Sequence, residues 1–166
     1  MTLNEAIWAE VQQEASNTRK ILERVPFEKG DFKPHEKSMT LKGLAKHVAE
    51  ISGWFKECVV QDVLDFAVGD YTPKVLDSLE DILALHDKNI AQAEQILKDT
   101  PESEFAKPWT MRNGEIVYFT MPKAAVVRTW CLNHLYHHRG QLTVYLRLLD
   151  VPVPGMYGPT ADEPNM

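Results

Sequence analysis

The chain has 166 residues, and its 18 basic and 24 acidic side chains give a formal net charge of −6. Hydrophobic residues make up 44% of the chain and charged residues 25%, which is typical of a globular protein that is neither disordered nor embedded in a membrane. The length suits a single domain, 1–166. The negative charge without a basic cluster argues against nucleic-acid binding, and the lack of a long apolar run or an N-terminal secretion signal predicts a cytoplasmic protein.

Four stretches have apolar residues at intervals of three and four, which is the periodicity of amphipathic α-helices. The predicted helices cover about residues 2–24, from 38 or 40 to 61, 77–98 and 122–149. Thr2 and Ser78, each followed three residues later by an acidic residue, are predicted to cap the first and third helices. The connection containing Asp70-Tyr71-Thr72-Pro73 is longer than is usual between neighbouring helices of a bundle, so the second and third helices could run parallel.

Residues 101–121 are the stretch with strand character. Here two apolar segments flank Asn113-Gly114, a dipeptide typical of tight hairpin turns, and an irregular loop with one turn is the alternative. The proline-rich tail from Val151 either packs across the helices or is loose. Four amphipathic helices with one short hairpin-like insertion before the last helix predict an all-α fold, a four-helix bundle.

The most informative residues are histidines on the predicted helices. His134 and His138 are four residues apart, which stacks their rings about 6 Å apart on one helix face. The same face carries Cys131 and Leu142, so the pair is predicted to point toward the core. Buried imidazoles need a partner, which is either a metal ion or hydrogen bonds to each other, to a carboxylate or to water.

A third imidazole would complete a metal site. His47, on the apolar edge of the second helix, is the preferred candidate, and His86 on the third helix is its chief competitor. Three histidines that leave coordination positions to water are typical of catalytic rather than structural metal sites. Cys58 and Cys131 lie in apolar stretches and are predicted to be free thiols that fill the core.

The last predicted helix and the strand before it have an unusual charge distribution. No Asp or Glu occurs from Ile116 to Leu149, although the whole chain is acidic. The basic residues in this stretch are Lys123, Arg128, Arg139 and Arg147. A local positive potential would favour an anionic partner, and the alternative is that these are ordinary solvated side chains.

The run from His134 to Leu142, His-Leu-Tyr-His-His-Arg-Gly-Gln-Leu, closely resembles the end of proteins in the DinB family of damage-inducible metalloproteins. The segment Leu44–Ile51 is similar to the part of that family that holds an upstream histidine. The resemblance implies a DinB/YfiT-like four-helix bundle with parallel middle helices, a homodimer, and one divalent ion per chain, commonly nickel or zinc. It also implies that His47, His134 and His138 bind this ion.

Some members of the wider superfamily join thiols such as bacillithiol or mycothiol to electrophiles, so the resemblance implies a thiol S-transferase in stress response or detoxification. An open coordination position can lower the pKa of a small-molecule thiol and generate the nucleophile. Trp54, Gln141 and Tyr145 are predicted to line the pocket. The alternatives are a metal-dependent hydrolase and a non-catalytic stress protein whose ion stabilises the fold.

Overall fold

The computed structural model describes residues 1–68 and 75–165, so the predicted turn at 70–73 and the terminal Met166 lie outside the described residues. Within them, the helices are α1 (Leu3–Leu22), α2 (Leu41–Ile51), α3 (Leu79–Asp99) and α4, which is continuous over 123–148. In α4, a π-helical segment, Val127–Asn133, lies between α-helical parts at Lys123–Val126 and His134–Leu148. A second π-helical segment, Lys56–Val60, follows α2. Short 3-10 turns lie at Phe27–Lys29 and Glu102–Ala106.

Local side-chain chemistry explains where the helices begin. The Thr2 hydroxyl accepts a hydrogen bond from the backbone N–H of Glu5, whose carboxylate accepts one from the backbone of Thr2. Ser78 and Asp81 form the same reciprocal pair at the start of α3. Both predicted caps are therefore confirmed, and such a cap typically stabilises a helix by about 1 kcal/mol.

The prediction of an all-α fold is wrong, because the structure also contains a three-stranded mixed sheet with the order β1-β2-β3. The strands are β1 (Val63–Asp65), β2 (Pro108–Asn113) and β3 (Ile116–Pro122). β2 and β3 form the antiparallel hairpin, with Gly114 at φ +57° in its turn, and β1 lies parallel to β2. A strand of three residues is too short to show an alternating pattern, and it forms here because β2 offers it hydrogen-bonding partners.

Polar contacts give the directions of α1 and α3. The Asn4 amide donates to the carbonyl of Leu97, which places the start of α1 beside the end of α3. Further along α1, Arg19 pairs with Asp87, in the first half of α3. The two helices are therefore antiparallel.

α4 runs in the same direction as α1. Arg128 in the first part of α4 binds Glu10, and Arg139 further along binds Glu14. The order of the contacts is the same on both helices, which requires a parallel arrangement.

The apolar core consists of two clusters of buried side chains. One includes Leu44, Ile82 and Leu142, and the other includes Phe55, Trp109 and Cys131. Trp54 and Tyr136 are half-buried and contact both clusters, so they mark the level at which the clusters meet. Among the described residues, no helix combines the length and apolar character needed to cross a membrane.

The C-terminal tail packs across the helices. Pro154 is buried, and two carboxylates of the tail bind arginines of the bundle. Asp162 pairs with Arg147 of α4, and Glu163 pairs with Arg24, just beyond the end of α1. These contacts hold the tail against both the first and the last helix.

Candidate metal centre

Three histidines from two helices bring their imidazole rings together. His47 lies on α2, and His134 and His138 lie one turn apart on α4. The Nε2 atom of His134 is 3.4 Å from Nε2 of His47 and 2.8 Å from Nε2 of His138. One ring nitrogen from each residue falls within 4.8 Å of the other two, and all three side chains are half-buried.

The antiparallel packing of α2 and α4 produces this convergence. Tyr145, late in α4, donates a hydrogen bond to the carbonyl of Met39 just before α2. Trp130, early in α4, packs against Trp54 just after α2. Residues near the middle of α2 therefore face residues near the middle of α4, which places His47 opposite the histidine pair. Since α1 is parallel to α4 and antiparallel to α3, α2 and α3 run in the same general direction.

The three rings are neutral near pH 7. The pKa of His47 is lowered from 6.5 to about 4, mainly by burial and also by charge repulsion from the neighbouring rings of His138 and His134. Burial is also the main reason why the pKa values of His134 and His138 are lowered. A neutral imidazole has a free lone pair on one nitrogen, which is the form that binds metal ions.

The arrangement of the three rings suits a shared cation. A ring nitrogen carries either one N–H or one lone pair, so Nε2 of His134 cannot form good hydrogen bonds to both neighbours. Nitrogens bound to a tetrahedral zinc ion at about 2.0–2.1 Å lie about 3.3 Å from one another. The 3.4 Å between His47 and His134 is close to this spacing, whereas His134 and His138 lie closer together, at 2.8 Å. In the described part of the chain, the cluster contains no carboxylate or thiol. An ion bound here would therefore keep positions for water or a ligand.

Gln141 fixes the orientation of His138. The Nδ1–H of His138 donates to Oε1 of Gln141 at 2.8 Å, and the Gln141 amide nitrogen donates to Nε2 of the exposed His137 at 3.0 Å. With its proton on Nδ1, His138 presents the lone pair of Nε2 to the cluster. A partner on the outer nitrogen is the usual way in which proteins orient a histidine that binds metal.

Two tryptophans cover one side of the cluster. The Trp54 ring centroid is 5.5 Å from that of His47 and 5.0 Å from that of His134. The Trp130 ring centroid is 5.5 Å from that of His134, and the Phe119 ring of the hairpin stacks on Trp130 with a centroid distance of 6.2 Å. Trp130 is not among the predicted pocket residues, although its spacing of four residues from His134 is typical of side chains on one helix face.

The other two predicted pocket residues lie toward the end of α4. Gln141 and Tyr145 border an open cavity of about 370 Å³ next to His138. The remaining residues that line this cavity are Ser38, Met39, Leu44 and Val144. The three predicted pocket residues thus lie on two sides of the histidine cluster, with Trp54 near the start of α4 and the cavity further along it.

His86, the competing candidate, does not join the cluster. It is almost fully buried in α3, where Nε2 contacts the carbonyl of Ala15 at 3.2 Å and Nδ1 contacts the Ser52 hydroxyl at 3.3 Å. Both ring nitrogens are therefore used to join α3 to α1 and to the end of α2. Cys58 and Cys131 are free and buried, as predicted, and burial raises the pKa of the Cys131 thiol.

The basic residues of α4 do not create a positive patch, because each of the four binds a carboxylate from another part of the chain. The pairs are Lys123–Asp62, Arg128–Glu10, Arg139–Glu14 and Arg147–Asp162. Their charges are compensated within these pairs. Sequence spacing does not reveal Asp62, Glu10 and Glu14 as partners, because they lie far along the chain from the basic residues that they bind.

Comparison with known proteins identifies the family. A family model of the DinB family matches residues 1–165. An uncharacterized protein of Bacillus subtilis strain 168, YrdA, is 42% identical over 43 residues, which are 26% of this chain and a quarter (25%) of that protein's length. The crystal structure of YjoA, a DinB-like protein from Bacillus subtilis, superimposes with a TM-score of 0.69 at 18% identity, covering 91% of this chain and 96% of that one. The family model spans nearly the whole sequence, and the chain therefore belongs to the DinB family.

Proposed function

We propose that the protein is a metal-dependent enzyme that activates a small-molecule thiol and transfers it to an electrophile. The observation that carries the proposal is the convergence of three neutral imidazole nitrogens, from His47, His134 and His138, without a further ligand from the described residues. We propose one divalent ion per chain, nickel or zinc, since imidazole nitrogen suits both metals.

A bound divalent ion lowers the pKa of a thiol that coordinates it, so that the thiolate forms near neutral pH. The residues of the chain would orient and shield this chemistry. Gln141 holds His138 in the binding tautomer, and Trp54 and Trp130 keep water from one side of the cluster. The thiol proton would pass to solvent, to which the cavity beside His138 is open. In the proposed reaction, the sulfur would bond to the electrophilic carbon as the leaving group departs with its electron pair.

A non-catalytic metal-binding protein is the second candidate. It is favoured by the position of the ligands on two different helices, because an ion there would join α2 to α4 and stabilise the fold. A metal-dependent hydrolase has less support. Activation of water usually requires a carboxylate base, and the described cluster contains no Asp or Glu.

We also propose that the protein acts in the cytoplasm as a homodimer, in stress response or detoxification. Membership of the DinB family supports this part of the proposal. Size-exclusion chromatography with light scattering would test the dimer. Measuring the expression of the protein after DNA damage would test the role in stress response.

The test combines metal analysis with a conjugation assay. The wild-type protein, His134→Ala and the control His35→Ala, which changes an exposed histidine outside the cluster, are loaded with Ni²⁺ or Zn²⁺. Each is assayed with a panel of thiols and 1-chloro-2,4-dinitrobenzene. We expect about one ion per chain and thiol conjugation in the wild type and in His35→Ala, and loss of both in His134→Ala. Metal-loaded wild-type protein that conjugates no thiol would support the non-catalytic role instead.

A further inference from the structure

β3 is an outer strand of the sheet, and most of its length is exposed. Five of its seven residues are exposed, none of the seven is charged, and the only proline is the last residue, Pro122. We infer that β3 pairs, antiparallel and across a two-fold axis, with β3 of a second copy of this chain. This inference rests on the homodimer of the proposed function, and it adds the interface, which the family assignment does not supply.

The backbone of β3 has hydrogen-bonding groups that point away from the sheet. On β2, the N–H of Thr110 and the carbonyl of Arg112 form hydrogen bonds with the residues just before and just after β1. In an antiparallel ladder, two residues opposite each other point their backbone groups either toward each other or both away. The residues of β3 opposite Thr110 and Arg112 are Thr120 and Val117. Their N–H and C=O groups therefore point to the open side of β3, where no strand of the described residues lies.

A two-fold axis allows these outward groups to pair with each other. Val117 and Thr120 have the spacing of a regular strand, because they lie opposite Arg112 and Thr110, with Tyr118 as the extra residue of a β-bulge. If Val117 lies opposite Thr120 of the second copy, symmetry places Thr120 opposite Val117 of that copy. An identical strand can therefore satisfy the outward groups of both residues, which favours a second copy as the partner.

The side chains at the hairpin end of this strand are apolar and exposed. Ile116, Val117 and Tyr118 are 63%, 57% and 54% exposed, and the ring of Phe66, 57% exposed, lies 6.3 Å from that of Tyr118 between centroids. Each exposes roughly 100 Å² of surface. Two copies that cover these side chains and the strand backbone would bury about 1,000 Å² in total, which is the lower limit for a specific interface. We therefore expect a dimer that dissociates on dilution.

The charge beside the strand favours the antiparallel arrangement. Glu115, which directly precedes β3, is exposed. Parallel pairing would bring the Glu115 carboxylates of the two copies together, which is unfavourable. In the antiparallel pairing, Glu115 lies opposite Pro122 of the second copy, so the two carboxylates are about 20 Å apart at about 3.3 Å per residue. This separation exceeds the screening length of about 10 Å.

The test compares lysine substitutions at two equally exposed apolar residues. Val117→Lys places a charge in the proposed interface, and Leu148→Lys does so at the other end of α4, where Leu148 is 56% exposed. Sedimentation equilibrium of the full chain measures the Kd of the dimer. We expect Val117→Lys to raise this Kd at least about tenfold, because a charged edge strand resists pairing. Leu148→Lys should leave it within about twofold of the wild type.

A pair of opposite charges tests the register. Thr120→Glu alone should also weaken the dimer, since it adds a like charge to both copies. When it is mixed with Val117→Lys, native mass spectrometry should show heterodimers, in which the new lysine lies opposite the new glutamate. A misfolded variant could not form them. If no heterodimers form, Val117 does not pair with Thr120 and the inference fails.

The remaining outcomes separate the interface from the homodimer itself. If Val117→Lys dimerises as tightly as the wild type, or if Leu148→Lys weakens the dimer equally, β3 is not the specific contact. The inference then fails, and the homodimer stands. If the wild type is monomeric at every concentration, the homodimer and the inference both fail, and the edge of β3 is left to a strand from another protein.

Discussion

At the scale of single residues, Gln141 determines which nitrogen of His138 is available to a metal ion. Gln141→Met keeps the length of the side chain but removes the acceptor for the Nδ1–H of His138. We expect affinity for Zn²⁺ to fall by about 10- to 100-fold, because the ring loses its fixed tautomer and orientation. Gln141→Glu should retain most of the affinity, since a carboxylate also accepts this hydrogen bond. The measurement is competition with a chromogenic chelator, and equal affinities of wild type and Gln141→Met would contradict the assignment.

His86 should make stability depend on pH. Burial lowers its pKa in the folded protein below 6.5, so at mildly acidic pH the unfolded chain binds a proton that the folded protein does not. The free energy of unfolding should therefore fall as the pH is lowered through about 6.5, by at most about 1.4 kcal/mol per pH unit, until the folded His86 is itself protonated.

Urea unfolding of the metal-free protein between pH 5 and 8 measures this dependence. His86→Gln should show a shallower fall than the wild type, whatever its stability at pH 8. The cluster histidines, whose pKa values are also lowered, contribute equally to both proteins and cancel in the comparison. A pH dependence identical to that of the wild type would show that His86 is not responsible.

The ligand histidines could be predicted because helix geometry alone places His134 and His138 on one face. The interpretation of His86 required the structure, since its hydrogen bonds run to Ala15 on α1 and to Ser52 after α2. The role of Gln141 likewise depends on the direction of its side chain, which spacing does not specify.

At the scale of helices, a buried ion pair joins α1 to α4. Arg139 and Glu14 are 2% and 6% exposed, and the Thr18 and Tyr157 hydroxyls complete their hydrogen bonds. Removing one partner leaves an unpaired charge in the interior, so Glu14→Gln should reduce the free energy of unfolding by about 3–5 kcal/mol. Replacing both residues with Met should recover much of this loss. Chemical denaturation of the two variants and the wild type provides the comparison, and a Glu14→Gln change below about 1 kcal/mol would argue against a buried pair.

The helix starts could be predicted because caps are local, and the structure confirms them at Thr2 and Ser78. The hairpin was anticipated from Asn113-Gly114, but the third strand was not. β1 has only three residues, and its pairing partner β2 lies far along the chain. A contact of this kind leaves no periodic signal in the sequence.

At the scale of the whole molecule, metal removal should lower thermal stability. An ion bound by α2 and α4 stabilises the folded state by about 2.7 kcal/mol when the free metal concentration is 100 times Kd. For a protein of this size, that corresponds to a Tm higher by about 5–10 °C. Thermal unfolding with and without a chelator should show this shift in the wild type and in His35→Ala. His134→Ala should melt at the same temperature under both conditions, and a chelator effect of wild-type size in this variant would place the metal elsewhere.

The π-helical segment Val127–Asn133 links the sheet end of the molecule to the histidine end. Each π turn contains one residue more than an α turn needs. Deleting that extra residue would restore an ordinary α-helix while the parts of the helix before and after it keep their relative orientation, because the wide π turn is what accommodates the added residue. His134 and His138 would keep their mutual spacing, and Lys123, buried with its Nζ on the carbonyl of Val59, would stay on the same face of the helix. A relative one residue shorter at this point would therefore keep both ends of the protein in register, with the same sheet and the same histidines on a regular α-helix.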